Sequence, residues 1–512
     1  MALIKEYKVA DLDALFFRVQ GYLLLFLSFI SVFAIISNSK WETLLPTLAI
    51  FLTPLVFLSL SRFRKNPFSI ITGVWLLIYI YVPLTYCSVY GDNYIFGPGL
   101  NVELPFSQQH YAGRYTPNLY FLFFCLLSAF LGLSIFGAGP GALKTHQKLK
   151  SFGYTPIIIL SVVCFYILFD DILTSLNAKA NSTGRGEGLI KFIFFDHAFL
   201  ILTGSLLLSL SGRNERQTRQ QITISLIIAA IFFALSLLAG SKAGWIQIGF
   251  LYFLMPYSFL RTTNDQSILF LSMPAIISCV ILAPILYFVV FFYRISLTSD
   301  LSFDLFYVVS HVDFSSLGYL TEEIFNRLAI GGFDRFMLVS TSFLELNSQF
   351  YSFQEFMPYL YKNGANLLLP GTPYPEAYAP SSQMFPDVIN MQPLDGGLSE
   401  AYLLTSINSQ PYTIFGIFTI LFGLFSPLVI FLYHALLTLI FALSKNFIIR
   451  LTLIYLYNNT IASFGFEVAI AYGVHILISF GFMYMFLHII SMIRLRNGND
   501  NSLVSVRRRA SS

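Results

Sequence analysis

Arg185, Lys191, Lys242, Arg294, Arg327 and Arg335 are the residues of this sequence best suited to chemistry. All fall in, or at the edges of, the polar stretches that separate long apolar runs. Arg offers a planar fork of donors and Lys a compact charge, so a group of them suits a phosphate or pyrophosphate. Snorkelling, or local pairs such as Glu323–Arg327 and Asp334–Arg335, would account for the same residues without a ligand. Lys242 stands in Gly240-Ser241-Lys242-Ala243-Gly244-Trp245. Small residues on both sides of one cation let the backbone approach a ligand closely. The same element also reads as a tight turn, with Trp245 as an interfacial anchor.

A base would complete such a site. His311, with Asp313 two residues on, can take a proton near neutral pH. Asp395, in Asp395-Gly396-Gly397, and Glu400 compete for the role, as do Asp334 and Asp387. Asp196 and His197 fall inside an apolar run, where an ionisable group must face a protein interior or a wet cavity. Glu467 and His475 form a similar set. Asp170-Asp171 suits a divalent metal or a helix cap, and Asp11-Leu12-Asp13 has the spacing of a sugar-nucleotide metal motif but stands isolated. No phosphate-binding Walker loop, dinucleotide fingerprint, HExxH or GxSxG occurs. A nucleotide-fuelled reaction is disfavoured, and a substrate already activated within a membrane fits better. Cys87, Cys125, Cys164 and Cys279 all lie in apolar runs, so neither a disulfide framework nor a cysteine metal site is expected. No metal and no cofactor is expected at the site.

The elements that must position these residues are set by composition. The chain has 512 residues, of which 56% are hydrophobic and 11% charged, with a mean hydropathy of +0.71. Soluble domains carry about 25% charged residues, so the solvent here is lipid. The expected architecture is all-α: a polytopic membrane protein of about twelve transmembrane helices with one large periplasmic insert. Spans are expected near 19–37, 43–61, 68–89, 118–138, 155–170, 189–210, 222–240, 245–260, 267–293, 412–443, 447–466 and 471–493. The tenth carries Pro427 and is expected to tilt or kink. Nine spans thus fill 1–293, the insert occupies 294–411, three spans fill 412–493, and 494–512 is a basic tail ending in Arg507-Arg508-Arg509. The first apolar run is long enough to span, and no cleavable leader is read before it.

Charge orients this layout. With the N-terminus inside, the cytoplasmic segments collect Lys5, Lys8, Arg18, Arg62, Arg64, Lys65, Lys144, Lys148, Lys150, Arg213, Arg216, Arg219, Arg261, Lys445, Arg450, Arg494, Arg496, Arg507, Arg508 and Arg509. The short outer loops hold few. Both termini are therefore expected inside, and the insert outside. Within the insert, 304–311, 319–328 and 333–346 carry helical spacing, and 362–393 is Pro-, Gly- and Asn-rich loop. No basic block resembles a nucleic-acid footprint.

In this layout the chain resembles the Wzy-type O-antigen or oligosaccharide repeat-unit polymerases, relatives of the O-antigen ligases. The resemblance rests on the layout of the spans, the insert after the ninth, and Gly240-Ser241-Lys242-Ala243-Gly244. That element is similar to the small-Ser-Arg-Gly element of the family, with Lys242 in place of the usual Arg. The resemblance implies a GT-C-like glycosyltransferase of the bacterial inner membrane, metal-independent and inverting. Its donor and acceptor would be glycans on undecaprenyl pyrophosphate, with a chain-length regulator as a further partner. It implies that Lys242, Arg294, Arg327, Arg335 and Arg185 bind the pyrophosphate, and that His311, Asp395 or Glu400 is the base. Two rivals remain at this point. One is an O-antigen ligase, which transfers glycan to a lipid A core; the other is a flippase or secondary transporter, which would show short loops, inverted repeats and broken helices.

Overall fold

The computed structural model describes residues 4–90, 108–136, 267–272, 413–444 and 446–462 continuously, with isolated residues elsewhere. These continuous segments belong to one of the two compact units into which the chain divides. They are helical apart from one small sheet.

The chain enters through strand β1 (Ile4–Lys8) and continues into α1 (Val9–Ser37). Asp11 in the first turn complements the helix dipole. The helix ends where Ser39 takes a left-handed φ of 56° and Lys40 N–H reaches back to the Ile35 carbonyl. This tight turn feeds α2 (Trp41–Ser59), then the short basic α3 (Ser61–Lys65) and α4 (Phe68–Leu76). A π-helical turn, Leu77–Tyr81, links α4 to α5 (Val82–Tyr90). Pro83 explains it: its ring would strike the carbonyl four residues back and it has no N–H to donate. One wider turn absorbs both defects and lets the span continue.

After α6 (Gln108–Ile135) the next continuous element is strand β2 (Ser267–Leu271). It pairs antiparallel with β1, placing Glu6 opposite Leu269. The ninth span was expected to begin at 267, so its first five residues are a strand instead. A short run such as Ser-Ile-Leu-Phe-Leu satisfies either reading, and the backbone of 4–8 decides it. Opposed residues of an antiparallel pair lie about 4.5–5.5 Å apart, within disulfide range. Glu6→Cys with Leu269→Cys, in a chain whose native cysteines are Ala, is therefore expected to oxidise and resist maleimide labelling. Glu6→Cys with Phe270→Cys points to opposite sides of the ladder and is expected to label fully. Equal labelling of both pairs would reject this register.

The last described elements are α7 (Ile414–Phe422), α8 (Ser426–Leu443) and α9 (Phe447–Ala462). A single tenth span, bent at Pro427, was expected. The break falls earlier, at Gly423, whose φ of 54° with ψ of −129° is open to glycine and strained for other residues. Pro427 lies in the first turn of α8, where a missing N–H costs nothing. Phe418 and Tyr433 would stand roughly 22 Å apart along a straight helix. Their rings meet at 5.7 Å, so α7 folds back along α8.

Among the described residues, five stretches are long and apolar enough to cross a membrane: Ala10–Ser37, Trp41–Ser59, Phe68–Val89, Tyr115–Ile135 and Gly423–Leu443. α4 is buried on nearly every side, and Phe57 of α2, Phe63 of α3 and Phe130 of α6 pack on one another as one aromatic cluster. α1 instead leaves Tyr22, Phe26, Phe29 and Phe33 exposed. Such a stripe is untenable in water and natural against acyl chains.

Candidate functional site

His311, Asp395, Glu400, Lys242, Arg294, Arg327, Arg335 and Arg185 lie outside the described residues, as do Asp170, Asp171, Lys191, Asp196, His197, Glu467 and His475. The described residues nearest in sequence to Arg327 and Arg335 are Phe333, Phe336, Met337 and Ser340. These four are helical and fully buried, and their spacing of i, i+3, i+4, i+7 is that of one helix face. The helical spacing expected for 333–346 is met at these positions. The face docks on α6. Phe336 stacks on Phe121 with ring centroids 6.0 Å apart, and Asn118 Nδ2 donates to the Met337 carbonyl at 3.3 Å. Asn118 and Phe121 belong to the first half of the apolar stretch Tyr115–Ile135. The segment between Arg327 and 346 was expected in a polar insert, and its described face is held against the start of a membrane helix.

The described residues also hold a polar layer that the sequence reading passed over. It lies between α4, α8 and α9. Thr72 Oγ1 and Tyr457 OH share a hydrogen bond of 2.5 Å, and Trp75 Nε1 donates to Asn458 Oδ1 at 2.6 Å. Tyr433 OH pairs with Thr460 Oγ1 at 2.7 Å. His434 sits among them, its ring edge-on to Tyr457 and Tyr433. Its Nδ1 lies 2.7 Å from the Ile430 carbonyl, so Nδ1 carries the proton. Nε2 is left as a buried acceptor without a hydrogen-bond donor. At the end of α8, Asn66 ties three elements together. Its Nδ2 donates to the Leu133 carbonyl at 2.7 Å and to Thr438 Oγ1 at 3.2 Å, while its Oδ1 accepts from Phe68 N–H.

This layer cross-links α4, α8 and α9 through side-chain hydrogen bonds. Its members are hydroxyls, an indole, amides and one imidazole, and among the described residues no carboxylate joins it. Intramembrane hydrogen bonds of this kind contribute about 0.6–1.7 kcal/mol each. A signal for it was present: Tyr433-His434 and Tyr457-Asn458 interrupt apolar runs just as Asp196-His197 does. Asp13, one half of the isolated Asp-Leu-Asp motif, accepts a hydrogen bond from Tyr257 OH, and Asp11 is exposed. Two residues apart on a helix, they do not share a face, so the motif is better read as a helix-start pair than as a metal site.

The fold and its apolar surface define a helical, membrane-embedded protein of several spans. Compared with known families, curated proteins and solved structures, the chain matches none.

Proposed function

We propose that this protein polymerises undecaprenyl-pyrophosphate-linked oligosaccharide repeat units at the periplasmic face of a bacterial inner membrane. In this reading the acceptor hydroxyl attacks the anomeric carbon of the donor sugar. The bond from that carbon to the pyrophosphate oxygen breaks, and the configuration inverts. His311, or Asp395 or Glu400 in its place, takes the hydroxyl proton. Lys242, Arg294, Arg327, Arg335 and Arg185 offset the charge that builds on the departing pyrophosphate.

The observation that carries this reading is the docking of Phe333, Phe336, Met337 and Ser340 on α6. A polar insert that merely linked two spans would have no reason to bury such a face. One anchored at the start of a membrane helix is suited to meet a lipid-linked substrate arriving sideways from the bilayer. The β1–β2 pairing also agrees with the layout, since it joins the N-terminus to a segment expected on the same side.

One feature favours transport instead. The folded-back α7 is a short helix of the kind that transporters use to build a central site. A deletion strain separates the readings when its lipopolysaccharide and its lipid-linked glycans are both resolved. Loss of a polymerase is expected to leave cores capped with single repeats. Loss of a ligase leaves bare cores with long chains on the carrier, and loss of a flippase leaves bare cores with single repeats on the carrier. Either bare-core outcome rejects the polymerase.

A further inference from the structure

Arg450 differs from the other described cations at its end of the bundle. Arg62, Arg64 and Lys65 on α3 are exposed, as basic residues at a membrane edge usually are. The corner that carries them packs on the C-terminal part of α8, through Asn66 to Thr438 and Phe68 to Phe441. Arg450, in the first turn of α9, is only 3% exposed. It does not snorkel. Its Nε donates to the Ser444 carbonyl at 2.8 Å, which turns the guanidinium back over the α8–α9 turn. There it lies 4.7 Å from the centroid of the Phe441 ring. Its Nη1 is buried and has no hydrogen-bond acceptor, and among the described residues no carboxylate pairs with it.

Two positive features therefore coincide. A guanidinium cannot shed its proton, so burial leaves it charged. A buried charge lacking a partner is strongly disfavoured. The first turn of a helix is also the positive end of its dipole, where a cation is the wrong sign and an anion the right one. One carbonyl and one aromatic face do not supply that anion. The surroundings indicate its source. Ile440, Leu443 and Ile449 flank the same turn and are exposed, Leu443 by 71%. An anionic group with apolar chains attached fits this surface better than a free anion does.

We propose that the α8–α9 turn is a headgroup site for an anionic phospholipid. Its phosphate is taken by the Nη donors of Arg450, and its acyl chains lie along Ile440 and Leu443. In the layout proposed above this is the cytoplasmic leaflet. The site is thus remote from the glycan chemistry and independent of it. Because Nη1 is shielded, uptake of the phosphate requires a local shift of the Ser444 carbonyl that holds Nε.

Native mass spectrometry of the full chain, titrated with phosphatidylglycerol and separately with phosphatidylcholine, tests this. The wild type is expected to prefer phosphatidylglycerol by about tenfold, the size of one charge-assisted hydrogen bond. Arg450→Gln is expected to abolish the preference. Arg450→Lys, which keeps the charge but loses the fork, is expected to retain part of it. No preference in the wild type, or full preference in Arg450→Gln, overturns the proposal. So does equal protection by inorganic phosphate against thermal unfolding, which would mark a free-anion site. A second arm leaves Arg450 intact, in case its variants do not fold. Benzoylphenylalanine in place of the exposed Leu443, irradiated in vesicles of equal phosphatidylglycerol and phosphatidylethanolamine, is expected to give adducts enriched in phosphatidylglycerol. Adducts in equal proportion would also sink the proposal.

Discussion

Replacing both Arg327 and Arg335 with Ala is expected to collapse the polysaccharide ladder to single repeats while the protein stays in the membrane at its normal level. The expectation follows from where charge develops in the proposed reaction. The sugar–pyrophosphate bond breaks heterolytically, so negative charge on the leaving group rises between ground state and transition state. A cation placed in advance gains most at that moment. One such donor contributes about 3–4 kcal/mol, or roughly 10²–10³ in rate. Two that act on the same pyrophosphate take the rate below what a growing chain can show. Each single variant should shorten the ladder, and Arg→Lys should restore part of it, because charge survives while the fork does not. Blotting of membranes separates this from loss of the protein. Long chains in the double-Ala strain would remove Arg327 and Arg335 from the chemistry and leave Lys242, Arg294 and Arg185 to carry the reading.

How far the sequence foretold the fold depends on what hydropathy can register. It located the spans at 43–61, 68–89 and 118–138 to within a few residues of the observed apolar stretches, because lipid demands long runs of one character. It placed the start of α1 too late. Asp11, Asp13, Arg18 and Gln20 lower the hydropathy without breaking the helix, and Asp13 binds Tyr257 while Gln20 covers Gly73. It missed β2, since five apolar residues carry no period that separates strand from helix. It put the bend of α7–α8 at Pro427, the conspicuous residue, when the φ available only to Gly423 made the turn.

The site was legible in a different measure. The face of Phe333, Phe336, Met337 and Ser340 was visible as helical spacing, but its partner on α6 was not, because Asn118 and Phe121 look like any span residues. Arg450 was read as one more inward-facing cation. Only its burial, and the want of an acceptor for Nη1, set it apart, and no spacing rule reports either. His434 is the opposite case: the rule that singled out His197 applies to it equally.

Gly132→Val is expected to be the most destabilising single change among the described residues, by about 3 kcal/mol or more. A Cβ at Gly132 would lie 2.6 Å from the Phe431 carbonyl oxygen and 2.8 Å from the His434 Cβ. The first of these is backbone, which no rotamer change can move. α6 and α8 therefore touch main chain to main chain at this level, with Ala435 N–H 3.1 Å away on the same side. In a bilayer such close approach is the chief source of helix association, because lipid supplies no hydrophobic drive. Valine would wedge the pair apart just where His434 begins the polar layer, and the Asn66 clamp on Leu133 and Thr438 spans the same two helices. Loss should therefore exceed that of an ordinary overpacked site and spread to both. Gly21, which has nothing within 4 Å, supplies the control: Gly21→Val should change stability by less than about 0.5 kcal/mol. Thermal unfolding followed by alkylation of the buried thiols of Cys87 and Cys125 reads both variants. If Gly132→Val unfolds with Gly21→Val and the wild type, α6 and α8 do not meet at Gly132, and the wall against which the insert docks is wrongly drawn.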